Sequence, residues 1–304
     1  MTVVEATGVS KQYGPLTAID QLSLHVDEHK LIGLVGRNGA GKSTLLKLIA
    51  GFIKPSAGTI KVFGAAPFNN LMVSAQSILI YDRLPLVPSL TIEEYLEIMG
   101  QFYANWDHEL ARKLCHYFEL NFKADPARLS KGQQNTFYTI LGIATRSPLT
   151  LLDEPTLGMD KAVRTDIYRL ILKDYLHHPR TLIISSHLIG EMADLLEEII
   201  LIDRGKLLVH QPVDELSQAV IRLQGSQAIL DPLLNRFEVF EQHELGKGTV
   251  SLVIKNELSQ SMINHLKSKQ VKISPLALDE VCVYLTKNSR GGIDDVFKDN
   301  WPVQ

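Results

Sequence analysis

The apolar positions in the first two thirds of the chain fall into short runs separated by longer periodic stretches. Residues 31–35, 77–81, 149–152, 181–185 and 199–203 are nearly continuous in apolar side chains. Such runs, lacking the alternation of a half-exposed sheet, predict parallel strands covered on both faces. Helical spacing follows the first of them over residues 42–50. Strands alternating with helical patterns predict an α/β architecture.

Between about residues 86 and 146 the strand signal stops. Thr91 and Glu94 form a T-x-x-E capping box ahead of a helix carrying Tyr95, Leu96 and Met99. Leu110, Leu114 and Phe118 recur at i, i+4 and mark one face of a second helix. Phe137, Ile140, Leu141 and Ala144 mark a third. The chain therefore inserts a helical subdomain into an α/β domain of residues 1–212. From 213 the pattern changes again: residues 220–223, 237–240 and 250–254 predict short strands, and 258–267 and 277–285 predict helices. This is a small α+β accessory domain over 213–286. Residues 287–304 contain Gly291-Gly292 without an amphipathic period and read as a mobile tail.

A chain of 304 residues has room for one large and one smaller domain. A hydrophobic fraction of 45% and a mean hydropathy of +0.03 describe an ordinary globular core. No run approaches the ~20 apolar residues needed to span a bilayer. The N-terminus has no long apolar stretch and does not read as a signal peptide. A net charge of −3, with no basic patch, argues against nucleic acid as a partner. Cys115 and Cys282 lack metal-ligand spacing, which suits a reduced cytosolic chain.

Chemistry enters at Gly36-Arg37-Asn38-Gly39-Ala40-Gly41-Lys42-Ser43, a G-x-x-x-x-G-K-S P-loop with Thr44 following it onto the helix. It stands where the physics requires, between an apolar strand and a helix. The glycines let main-chain N–H groups turn towards phosphate oxygens, with help from the helix N-terminus. Lys42 supplies charge to the β and γ phosphates of ATP, and the Ser43 hydroxyl is a Mg²⁺ ligand. Residues 149–152 lead into Asp153 and Glu154. A carboxylate at a strand end in a P-loop sheet reaches the metal, which suits Asp153, and Glu154 is then placed as a general base for water.

Leu129-Ser130-Lys131-Gly132-Gln133 resembles the signature motif of ABC ATPases, opening a helix with Ser130 as N-cap. The resemblance extends over residues 1–212 with its motifs in the family's order. It implies a P-loop NTPase fold of ABC ATPase type and hydrolysis of ATP. It also implies a head-to-tail dimer in which Ser130, Gly132 and Gln133 meet the γ-phosphate on a second ATPase subunit. That subunit is either a second copy or a relative. The resemblance further implies transmembrane permease subunits and a cytoplasmic position on the inner face of the membrane. By the same resemblance Tyr13 stacks on adenine, Leu157-Gly158-Met159-Asp160 is the loop linking the two sites, and His187 is the switch histidine at the γ-phosphate. The position usually held by a glutamine that contacts Mg²⁺ or water falls on Asp82, whose charge adds to Asp153 and Glu154. Lys131 stands where glycine is usual. The stretch ending at residue 286 resembles, weakly, the appended domain of bacterial exporter ATPases, and leans the reading towards export. A soluble nucleotide-gated ABC ATPase uncoupled from transport is the alternative. A P-loop kinase has no use for residues 129–133 or His187.

Overall fold

The structure, a computed structural model, describes residues 1–286 apart from Arg83, Pro85, Leu86, Pro88 and Leu188. The tail expected at 287–304 lies outside the described residues, as does residue 86 at the expected start of the helical insertion. The chain divides into two compact units, Met1–Val213 and Asp214 onward.

The first unit opens with β1 (Thr2–Tyr13), β2 (Leu16–Asp27), β3 (Leu31–Val35), α1 (Lys42–Ile49), β4 (Ala57–Val62), α2 (Leu71–Ser74) and β5 (Ser77–Ile80). Three helices follow: α3 (Ile92–Phe102), α4 (His108–Tyr117) and α5 (Lys131–Ala144). The chain then runs through β6 (Leu149–Asp153), α6 (Lys161–His177), β7 (Thr181–Ser185), β8 (Glu198–Asp203) and β9 (Lys206–Pro212), ahead of α7 (Val213–Ser217). Two sheets result. One has the order β5-β6-β7-β3-β8-β9 and is parallel except for β9; the other, β2-β1-β4, is antiparallel.

Helix α1 lies in the core that both sheets share. Its Leu45, Leu46, Leu48 and Ile49 are buried in one cluster with Val4, Val9 and Ile19 of the antiparallel sheet and Ile32, Leu34, Leu151 and Ile200 of the parallel one. Residues between these along the parallel strands, among them Leu31, Leu152 and Ile199, are buried as well. Successive strand residues point to opposite faces, so both faces of the parallel sheet are covered, and the near-continuous apolar runs follow from that.

The sequence expectation contained no β1, β2 or β4. Their signal is of a different kind: Leu22, Leu24 and Val26 alternate with the exposed Ser23 and His25 along β2, the period of a sheet with one face in water. Register shifts between Ala6 and Val9 and between Val9 and Lys11 interrupt the period in β1. Helix α4 forms over the expected stretch; its buried residues are Ala111 and Cys115, with Leu110, Leu114 and Phe118 half-buried beside them. The capping box of α3 forms as its spacing predicts: Thr91 Oγ1 accepts from Glu94 N–H at 3.3 Å, and Glu94 Oε2 accepts from Thr91 N–H at 2.7 Å.

In the second unit β10 (Val220–Ser226), α8 (Gln227–Leu234), β11 (Val239–Gly246), β12 (Thr249–Lys255), α9 (Gln260–Ser268) and β13 (Lys272–Pro275) run in the order β-α-β-β-α-β. They form an antiparallel sheet, β11-β12-β10-β13. Leu223, Leu252, Leu230 and Leu266 join one core between this sheet and its helices. The last helix, α10 (Leu278–Leu285), is tied to the sheet by Glu280, which accepts from Arg222 at 3.1 Å, and by packing of Tyr284 against Phe240 at 5.8 Å between ring centroids. Helix α8 and strand β13 were not foreseen. Pro232 inside α8 breaks the helical signal, and β13 is four residues long and ends in proline. No helix among the described residues is long and apolar enough to cross a membrane.

At the end of the parallel sheet where β7 begins, Arg180 and Asp174 form a buried pair at 2.7 Å, each side chain 5% exposed. Arg180 also donates to the carbonyls of His178 and Ile143. Truncating one partner strands the other charge in the interior. Asp174→Ala is expected to lower unfolding free energy by about 3 kcal/mol, read as a reduced urea midpoint at an unchanged slope.

Candidate nucleotide-binding site

The P-loop spans the gap between Val35, the last residue of β3, and Lys42, the first of α1. Gly41 caps the helix with φ +107°, and a Cβ there would stand 2.5 Å from the Ala18 carbonyl. Only glycine tolerates both the conformation and the approach. Residues 38–44 line a cleft of about 410 Å³ together with Tyr13, Leu16, Thr17, Ala18 and Glu154. Tyr13 is half-exposed on its wall, with the Lys11 ammonium 5.2 Å from the ring centroid. Lys42 is buried; its Nζ donates to the Gly36 carbonyl at 2.8 Å and stands 3.7 Å from Glu154 Oε1.

Strand β6 delivers the carboxylates. Asp153 Oδ1 accepts from Ser185 Oγ at 2.6 Å, and the same hydroxyl accepts from Glu154 N–H at 3.0 Å. Glu154 has φ +49°, a left-handed conformation that non-glycine residues adopt at some cost. The turn aims its carboxylate back over the P-loop. Glu154 Oε2 lies 2.7 Å from His187 Nδ1; an ionised carboxylate only accepts, so the ring donates. Lys42, Glu154 and His187 thus form one row, with Asp153 behind it.

The other expected site residues form a second group. Ser130 Oγ accepts from Gln133 N–H at 3.3 Å, and Gln133 Oε1 accepts from Ser130 N–H at 3.2 Å, closing a capping box at the start of α5. A Cβ on Gly132 would stand 2.7 Å from the Gly158 carbonyl, so α5 abuts the loop before α6. Asp160 caps α6, accepting from Val163 N–H at 3.0 Å. Asp82 is absent from the lining of the P-loop cleft; its carboxylate pairs with Lys131.

Several supporting residues escaped sequence reasoning. Ser185 is one, and a small hydroxyl residue two places before His187 was the available signal. Arg164 and Tyr168, one turn apart on α6, are two more. Arg164 grips Glu191 through two bonds of 2.9 Å and donates to the Met159 carbonyl at 3.0 Å. Its guanidinium holds the Glu191 carboxyl below the usual carboxylate range. The Tyr168 hydroxyl lies 3.0 Å from Thr156 Oγ1 and also interacts with Ser186. Burial raises its pKa, and those two bonds moderate the rise. The loop after Glu154 and the segment around His187 are therefore braced by the same helix.

The residues present fit a magnesium nucleotide. The glycine loop leaves no room for a side chain at Gly41, Lys42 supplies charge at the loop, and Ser43 and Asp153 offer hard oxygen donors. No cluster of three or more His, Cys, Asp or Glu among the described residues could hold a metal alone. A Mg²⁺ ion would share its shell with phosphate oxygens, which is its habit in such sites.

The parallel sheet, P-loop and helical insertion define a nucleotide-binding P-loop protein of ABC ATPase type. Residues 19–157 match the ABC transporter family model. The chain belongs to that family, as an ATP-binding protein, by its likeness to Nod factor export ATP-binding protein I of Sinorhizobium fredii, to which it is 31% identical over 78% of this chain and 73% of that protein. It is 27% identical to the ABC transporter ATP-binding protein YtrB of Bacillus subtilis, over 92% and 97% respectively. An import relative also matches: an aliphatic sulfonates import ATP-binding protein of Burkholderia lata, 30% identical over 69% of this chain and 64% of that one. Among solved structures, a dimeric ATP-binding cassette in a post-hydrolysis state with ADP and Pi superimposes with a TM-score of 0.61. That match is 22% identical and covers 69% of this chain and 98% of the other.

Gly41→Ala is expected to weaken ATP binding at least tenfold or so, since the added methyl must displace the Ala18 carbonyl or reshape the loop. Titration with a fluorescent ATP analogue measures it.

Proposed function

We propose that this chain hydrolyses ATP as one subunit of a membrane transporter, working as a dimer. The observation that carries the reading is the placement of Glu154 between Lys42 and His187 on the wall of the P-loop cleft. Tyr13 stacks on the adenine, the main chain of residues 36–41 and Lys42 hold the phosphates, and Ser43 and Asp153 hold Mg²⁺. When bound there, the ion would supply charge neutralisation at the phosphate oxygens. Glu154 accepts a proton from the water that attacks the γ-phosphorus, and the bond to the bridging oxygen of ADP breaks. His187 keeps Glu154 oriented through its single ring N–H, which is also the donor the γ-phosphate would draw on when ATP is bound. Residues 1–212 form the ATPase domain in this reading and 213–286 the accessory domain.

The dimer is supported by the separation of the two residue groups within one chain. Ser130, Gly132 and Gln133 sit together against the loop before α6, and none of them lines the P-loop cleft. A second subunit presenting them head-to-tail would complete the site. The dimeric cassette among the structural relatives has the same fold. A permease partner is supported by an apolar cavity of about 360 Å³ lined by Phe52, Tyr81, Tyr95, Met99, Tyr103 and Leu141. Leu71 and Met72 of α2, the helix whose Ser74 lines the same cavity, are 85% and 73% exposed. Export is favoured because the alignment to the Nod factor export protein covers more of this chain than that to the sulfonate importer.

Glu154→Gln is expected to keep ATP affinity within about threefold while turnover falls by about 10²–10⁴, the usual range for losing a general base. Light scattering of that variant with ATP and Mg²⁺ is expected to show a dimer. Undiminished turnover would mean that Glu154 is not the base, and a wild type without turnover would make the chain a nucleotide-gated regulator.

A further inference from the structure

Two departures from the family pattern, an aspartate at position 82 and a lysine at 131, stand 49 residues apart and meet in space. The Lys131 ammonium pairs with the Asp82 carboxylate and donates to the Asp82 main-chain carbonyl at 2.8 Å. The methylene stem of Lys131 crosses the loop before α6. Its Cγ and Cβ lie 3.3 and 3.6 Å from where a Cβ on Gly158 would stand. One turn along α5, Asn135 Nδ2 donates to the Leu157 carbonyl at 2.6 Å. One side chain therefore ties together three segments: the residues after β5, the N-terminus of α5, and the loop leading to Asp160.

An exposed ion pair by itself contributes little, because long side chains lose entropy in forming it and water screens the charges. This pair differs in two respects. Two acceptors on one residue fix the ammonium, and the stem is already held against Gly158. The pairing is also mutually matched: a glycine at 131 could reach nothing, and a neutral side chain at 82 would leave the ammonium without a counter-charge.

We propose that Lys131 and Asp82 are a positioning pair for the nucleotide reaction. The pair holds the Ser130–Gly132 end of α5 against residues 157–160, and it engages the Asp82 carboxylate so that the charge is not added to Asp153 and Glu154. Asp82 then acts through Lys131 and is not a metal ligand. The proposal rests on the ATPase reading above.

The test compares full-length wild type with Asp82→Asn, Lys131→Met, the double variant and Lys131→Arg. Methionine keeps the stem and removes the charge; arginine restores the charge. In nucleotide-free protein, amide hydrogen exchange over residues 130–136 and 156–160 is expected to rise about two- to fivefold in each single variant. It should rise no further in the double variant and return towards wild type in Lys131→Arg. Under turnover, kcat is expected to fall about fivefold in both single variants with the KM for ATP nearly unchanged. Single-variant effects that add in the double variant, or exchange that does not move, would overturn the pair. Exchange that moves while kcat holds would overturn its role in the reaction. Wild-type turnover separates the premise: if the unaltered chain hydrolyses no ATP, the ATPase reading has failed, whereas the exchange measurements still report on the pair.

Discussion

The site is organised around a single hydroxyl. Ser185 Oγ sits at the end of β7, donates to Asp153 at the end of β6, and accepts from the N–H of Glu154. Those contacts hold the chain in the left-handed turn that a glutamate would not otherwise choose. With the turn in place, the Glu154 carboxylate is aimed at Lys42 from one side and His187 from the other. The parallel pairing of β6 with β7 brings Asp153 opposite Ser185, so the geometry of three functional side chains depends on sheet register. Local strain at Glu154 is sustained here by the register of two buried parallel strands.

The supports behind the site follow the same economy. Helix α6 begins at Asp160 and within two turns sends Arg164 to Met159 and Glu191, and Tyr168 to Thr156 and Ser186. The loop after Glu154 and the segment around His187 therefore cannot shift independently. Loops of this kind are usually the mobile part of a nucleotide site. In this chain they are cross-braced by one helix.

Much of this was legible in the sequence, and the parts that were not share a reason. Parallel strands such as Leu31–Val35 and Thr181–Ser185 are buried on both faces and announce themselves as unbroken apolar runs. The P-loop glycines and Lys42 are legible because phosphate binding demands those residue types at that spacing. Strands β1 and β2 are written in a weaker alternating pattern that bulges interrupt. In α4 the buried stripe runs through Ala111 and Cys115, small residues that a search for large apolar side chains passes over. Ser185, Arg164, Tyr168 and Glu191 matter only through partners distant in the chain. The contact between Asp82 and Lys131 is the same case: each residue can be singled out from sequence, and only the folded chain brings them together.

The bond from Lys42 to the Gly36 carbonyl has a consequence for ligand binding. The loop's own main chain occupies one of the ammonium's three N–H donors and leaves the other two for an incoming oxygen. The cation is therefore held in place before a ligand arrives, and less side-chain entropy remains to be lost when one binds.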